Sequence, residues 1–404
     1  MNPKRPSNFY LILILGSLTA LSPFAIDMYL PAFQKIAADF NVQVADISLS
    51  LSAYFIGLAV GQLFYGPLLD RFGRKSPLYV GLLIFVAASI GCLFAKNNET
   101  LIFFRVIQAL GGCAAQVASM AMVRDFFDGK ECAKIFSLLI LILGVSPLLA
   151  PTMGAYITDF FGWQSVFVAL AIIALILLGV VFFFLPEGHQ PDPSQSLRLR
   201  SIFRNYFSII SNPQFATYTF AGSIAFSGLF VYLASSPIIF LEIFNIHPHM
   251  YGWIFGILAA GLIGCSQLNI FFMKRWDSKH ILTTGMGCLA LVGISFFLSA
   301  WANLIGVFGT ILFLFLYLAC AGVINPNASA LALIPFTRNV GSAAALMGSI
   351  SMAVGSLASM SVSLVESKAV FPFTIIFMGT SSLAFFILTI GRLKISRQVP
   401  KSEG

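Results

Sequence analysis

The chain has 404 residues, a formal net charge of +8, and 9% charged against 58% hydrophobic residues, with a mean hydropathy of +0.92. Soluble proteins carry about 25% charged residues, so the two or three soluble domains usual at this length are excluded. Apolar runs of about twenty residues recur, each long enough to cross roughly 30 Å of hydrocarbon, and the positive charge lies in alternate loops rather than in a patch for nucleic acid.

Hydropathy marks twelve spans, centred near Leu21, Leu58, Ala87, Gly112, Val145, Leu175, Ser227, Leu262, Val292, Phe315, Met352 and Ala384. The first follows Lys4 and Arg5 and runs through Asp27 toward Phe33. It pairs with a second run, so it reads as an uncleaved span rather than a signal peptide. Within it, "FAIDMYLPAF" (Phe24 to Phe33) holds one acid, Asp27. A carboxylate costs roughly 2.5 to 3.5 kcal/mol to insert, which makes Asp27 a functional candidate. A structural hydrogen bond is the plainer alternative. Tyr29 lies two residues on.

The second span brings in Tyr54 and ends in "GPLLDRFGRKSP", containing Gly66, Asp70, Arg71, Gly73, Arg74 and Lys75. One acid and three bases crowd a tight turn, where Gly66 permits close approach and Gly73 allows dihedrals that a side chain hinders. The fourth span runs inward from near Glu99 and carries Arg105 and Gln108. Asp27 lies about six residues from the outer end of its span, and Arg105 about six from the start of its own. At 1.5 Å per residue both are roughly 9 Å deep, and Tyr54 is similar. A cluster of the three is expected, with snorkelling to the headgroups as the alternative for Arg105. Gln108 and Gln116 lie about 60° and 20° round the helix from Arg105 and are candidate substrate contacts.

The fifth span contains "GVSPLLAPTMG", with Pro147 and Pro151 one turn apart between Gly144 and Gly154. Proline removes helical hydrogen bonds and glycine admits a close neighbour, so hinge or leak-preventing packing is expected over an incidental kink. Residues 187–212 form the longest polar interruption, dividing a six-helix bundle at 1–186 from a second at 213–404. Arg198, Arg200 and Arg204 sit there among apolar residues, as in a helix lying on the membrane surface or a solvated basic linker. The second half has no ionisable residue clearly inside a span, since Glu242 and Glu366 fall near outer ends. Any ionisable site within the membrane is therefore expected in the first half, with Tyr232 and Asn325 as further polar candidates in the second. His247 and His249 read as loop residues rather than metal ligands.

All six cysteines (Cys92, Cys113, Cys132, Cys265, Cys288, Cys320) read as small buried hydrophobes, with no disulfide framework. An N-terminus placed inside puts about nineteen of the 23 Lys and Arg on the cytoplasmic side; only Lys35, Lys96 and Lys368 fall outside, and Arg105 within a span. Both termini are thus expected in the cytoplasm. There is no G-x-x-x-x-G-K-[ST] loop and no catalytic or metal-ligand constellation, so neither an enzyme nor direct use of ATP is expected.

The turn after the second span resembles the G-x-x-x-D-R-x-G-R-[RK] signature of the major facilitator superfamily. "AIDMYLPAF", "RVIQALGG", "VRDFF", "GVSPLLAPTMG" and "INPNASALAL" are similar to its Bcr/CflA branch of drug:proton antiporters. The second half keeps only "KRWDSK" of the signature, without its glycines. The resemblance implies an all-α polytopic membrane fold of twelve transmembrane helices in two pseudo-symmetric six-helix bundles. It further implies that Asp70 caps a helix end and that Arg74 pairs with Asp125, forming a two-state latch. The expected function is export of amphipathic small molecules in exchange for protons across the bacterial inner membrane, by a monomer without cofactors. Export of an endogenous metabolite, such as a siderophore or amino-acid derivative, is an alternative on the same scaffold. A membrane sensor that transports nothing is the alternative of a different class.

Overall fold

The structure, a computed structural model, describes residues 8–127, 129–188, 191–192, 199–336, 340–365 and 369–398. Among these there are helices and no strands, and two compact units: Met1–Arg198 with Ile246–Gly256, and Leu199–Asn245 with Ile257–Gly404.

The first unit begins with α1 (Asn8–Asp27), a 3₁₀ turn (Leu30–Ala32) and α2 (Phe33–Phe40). α3 (Val44–Phe72), α4 (Lys75–Leu93), α5 (Asn98–Phe126), α6 (Gly129–Phe161) and α7 (Gln164–Phe184) follow. Capping groups in the sequence set the helix starts. Gln43 and Asp46 form a reciprocal capping box on α3, and the Asn97 side chain accepts from the Thr100 N–H to start α5. α5 is the centre of this unit and packs on α3, α4 and α1. Its buried Gly111, Gly112, Ala114 and Ala115 let those neighbours approach closely, as expected where lipid supplies no hydrophobic drive between helices.

The second unit contains α8 (Leu199–Ile210), α9 (Pro213–Ser236) and a π-helical turn (Pro237–Ile243). These are followed by α10 (Pro248–Phe272), whose first residues belong to the first unit, then α11 (Ser278–Trp301), α12 (Val307–Leu333), α13 (Val340–Ser363) and α14 (Phe371–Gln398). α9 is the centre here, packed on α12, α13 and α14, and α11 lies against α12 and α14. Of the two readings of residues 187–212, a helix forms over Leu199–Ile210. It buries Tyr206 and Ile209 and exposes Phe203 and Phe207 beside Arg200 and Arg204.

Eleven stretches, counting Phe9–Phe40 as one, are long and apolar enough to cross a membrane among the described residues. The fifth expected span coincides with α6, a helix of 33 residues of which several side chains lie outside the described set. The cysteine reading needs correcting at four positions. Cys92 and Cys113 are buried, but Cys132, Cys265 and Cys320 are only half-buried and Cys288 is exposed; Cys265, Cys288 and Cys320 face a groove rather than a helix contact.

Candidate functional site

Pro31 shapes the first feature of the site. It has no N–H to give to the Asp27 carbonyl, so α1 stops at Asp27 and the chain continues as a 3₁₀ turn. Asp27 therefore stands at a helix break inside an apolar span, a feature the sequence reading passed over. It is the single buried acid among the described residues, and its carboxylate makes no hydrogen bond or ion pair there. On α6, Gly154 lies directly against this break: a Cβ at Gly154 would fall 2.0 Å from the Met28 carbonyl oxygen.

Arg105 on α5 is fully buried and anchors the second feature. Its Nη1 donates to the Ala25 carbonyl (3.0 Å) and to Gln108 Oε1 (2.7 Å). Ala25 lies in the last turn of α1, where carbonyls lack helical partners and the helix dipole favours a cation. The guanidinium carbon lies 4.2 Å from the Tyr54 ring centroid and 4.7 Å from that of Tyr29, so two aromatic rings flank the charge. Further bonds fix the frame: Gln108 Nε2 donates to Ser89 Oγ (2.7 Å), and the Tyr29 hydroxyl pairs with Ser50 Oγ (2.8 Å). Nε and Nη2 of Arg105 keep no hydrogen-bond partner.

The structure thus gathers Tyr29, Tyr54 and Gln108 around Arg105. It shows no bond between Arg105 and Asp27, whose expected pairing rested on equal depth; the guanidinium bonds the Ala25 carbonyl instead. Ser50 and Ser89 were missed, since a serine in a span carries no distinguishing signal. Gln116 is half-buried farther along α5, and Tyr232 is buried in α9. Asn325 is half-buried in α12, while its neighbour Asn327 is the residue that bonds, to Asn269 Oδ1 (2.7 Å) and the Val323 carbonyl (2.9 Å). In α6, Pro147 is half-buried and Pro151 buried, both inside a continuous helix. Gly144 is helical, but its surroundings lie outside the described residues.

The charged turn forms a third feature. Gly73 (φ 79°) reverses the chain between α3 and α4 in a conformation that disfavours other residues. Arg74 Nη1 donates to Asp70 Oδ1 (2.7 Å), while Nε and Nη2 donate to the two oxygens of Asp125 (2.8 and 3.3 Å). Glu187 accepts from the backbone N–H groups of Arg74 (2.6 Å) and Lys75 (3.3 Å), an anion at the start of α4. Burial works against the Arg74 charge, but its bonds to Asp125 and Asp70 outweigh it, so the pKa is raised. Arg71 stacks on Phe72 and Lys75 on Tyr79, and Gly66 has open space around it. His249 Nε2 lies 3.3 Å from Asp159, which also binds Lys35 (2.9 Å).

Residues 15–360 match the profile of the Major Facilitator Superfamily. The chain is 31% identical to a bicyclomycin resistance protein homolog of Haemophilus influenzae over 98% of this chain and 99% of the relative. It is 31% identical to YdgK of Bacillus subtilis, an uncharacterized MFS-type transporter, over 97% and 98%. Multidrug resistance protein MdtL of Escherichia coli is 30% identical, covering 82% of this chain and 83% of MdtL. Among solved structures, a D-xylose-proton symporter aligns with a TM-score of 0.74 at 16% identity, covering 94% of this chain and 97% of the symporter. That likeness concerns the fold alone.

Proposed function

The chain belongs to the major facilitator superfamily, and from that premise we propose that it exports amphipathic small molecules, drugs among them, in exchange for protons. The relatives' resistance names support the substrate class. The observation that carries the mechanism is Asp27, a lone buried carboxylate at a helix break, two residues beyond the Ala25 carbonyl that Arg105 grips.

In this reading Asp27 takes a proton from one side of the membrane and releases it to the other as its exposure alternates. Burial disfavours its charged form and a cation favours it, so a change in surroundings moves the proton. The Tyr29 and Tyr54 rings cover the faces of Arg105, leaving Nε and Nη2 at its edge for a polar group of the substrate or for Asp27 itself. Gln108 orients the guanidinium and Gln116 adds a polar contact, while Tyr232 and Asn325 are candidate polar contacts within the second unit. The Arg74–Asp70–Asp125 cluster acts as a latch that forms in one conformational state and breaks in the other, with Gly73 and Lys75 completing the turn. The α6 prolines, with Gly154 on the Met28 backbone, hold the break in place. The protein works as a monomer in the bacterial cytoplasmic membrane with both termini in the cytoplasm, a reading the distribution of Lys and Arg supports.

Proteoliposomes with an imposed pH gradient test this. The wild type should drive uptake or release of a fluorescent amphipathic probe in proportion to the gradient. Asp27→Asn should insert equally well and lose the gradient's effect. Gradient-driven transport at wild-type rates by that variant would sink the proposal. A screen of antimicrobials on cells lacking their main pumps identifies the substrates.

A further inference from the structure

Three helices of the second unit leave a groove between them. A cavity of about 330 Å³ lies between α10, α11 and α12, lined by apolar side chains such as Phe272, Ile281 and Leu316 and by the thiols of Cys265, Cys288 and Cys320. That volume is at the lower end of the range in which proteins take small apolar ligands, about 300 to 1,000 Å³. Toward the α10 start the groove is closed by direct contact: a Cβ at Gly322 would fall 2.1 Å from the Leu262 carbonyl oxygen. Toward the turn between α10 and α11, Trp276 and His280 line it, with their rings stacked at 6.5 Å.

The lining from His280 to Cys288 rises roughly 12 Å along α11, close to the depth of one hydrocarbon leaflet. The turn at its mouth is cationic. Lys274, Arg275 and Lys279 are exposed there, and the Lys274 ammonium lies 5.1 Å from the Phe271 ring. Asp277, the one acid of the turn, is engaged in capping α11, accepting from the His280 N–H (3.1 Å). An apolar slot of leaflet depth with a basic rim matches a molecule that has a hydrocarbon chain at one end and a negative charge at the other.

We propose that this groove binds an anionic glycerophospholipid, with one acyl chain between α10, α11 and α12 and the phosphate on Lys274, Arg275 and Lys279. The site is separate from Asp27 and Arg105 and stands apart from the transport reading. Trp276 sets the boundary between chain and headgroup, as interfacial tryptophans do.

The test uses the full-length protein in vesicles whose lipids carry bromine on the acyl chains, which quench tryptophans they touch. The Trp276 share of the fluorescence is the difference between the wild type and Trp276→Phe. Dibromo-phosphatidylglycerol should quench that share at a several-fold lower mole fraction than dibromo-phosphatidylcholine. Lys274→Gln/Arg275→Gln/Lys279→Gln should remove that several-fold preference, which is about what one charge near the lipid surface contributes. Equal quenching by both lipids would reduce the groove to ordinary bilayer contact and overturn the proposal. So would a preference that survives loss of the three charges. A readout on the unaltered chain guards against misfolding of the triple variant. Alkylation of Cys288 by a membrane-permeant maleimide should slow in phosphatidylglycerol relative to phosphatidylcholine vesicles, and equal rates would refute occupancy.

Discussion

Arg74 touches two acids, and the structure ranks them. Asp125 receives two bonds from Arg74, at 2.8 and 3.3 Å, and the two side chains are only 10% and 14% exposed. Asp70 receives one bond at 2.7 Å and is 51% exposed. Removing one partner of a mostly buried pair costs about 3 kcal/mol or more, because the other charge is left uncompensated. An exposed i,i+4 pair contributes only about 0.3 to 0.5 kcal/mol. Asp125→Ala should therefore open the turn far more than Asp70→Ala. Hydrogen exchange at the Arg74 and Lys75 amides reads this directly, since both donate to Glu187 when the turn is closed. About 3 kcal/mol corresponds to exchange roughly a hundredfold faster in Asp125→Ala, against less than threefold in Asp70→Ala. Because the pKa of Arg74 is raised, its stabilising contribution is lost only as pH climbs past that raised value, far above physiological pH. The ranking should thus hold across the working pH range. Equal acceleration in the two variants would refute the reasoning. Strict additivity of Arg74→Ala with Asp125→Ala would refute it as well, since coupled residues must deviate.

Arg105→Lys should bind substrate more weakly than the wild type but better than Arg105→Ala. An ammonium keeps the charge yet lacks the planar group that lies against two rings and holds Nε and Nη2 free at its edge. Affinity measured on the purified variants decides it, and equal affinity for Lys and Ala would contradict the box. Gly154→Ala should destabilise the protein by about 1 to 3 kcal/mol, because its methyl group would overlap the Met28 carbonyl. Thermal unfolding in detergent checks this, with Gly179→Ala, where nothing lies within 4 Å, as a neutral control.

The helices were legible because lipid imposes a strong compositional rule on any segment that crosses it. Asp27 and Arg105 stood out for the same reason, as charges where hydrocarbon is the norm. Their partners were harder to read. Depth along a span is one coordinate, and the direction around the helix, which decides contact, needs the packing. That is why Arg105 met the Ala25 carbonyl instead of the Asp27 carboxylate. A two-residue step turns a helix by about 200°, so the bonding asparagine of "INPN" is Asn327 rather than Asn325. Glu187 reaches Arg74 across 113 positions from the polar segment after α7, where an acid looks like any solvated residue. Pro31 was visible in the sequence, and its effect on α1 follows from one missing N–H.

That missing N–H makes the first span mechanically uneven. Along α1, apart from Pro23, which likewise has no N–H to give, bending the backbone stretches or breaks hydrogen bonds that lipid will not replace. At the Asp27 carbonyl there is no N–H from residue 31 to stretch, so a small rotation between α1 and the 3₁₀ turn costs far less than the same rotation one turn earlier. The ionisable group sits on a compliant joint at the end of its own helix. A proton arriving or leaving there acts on a point where little force produces displacement.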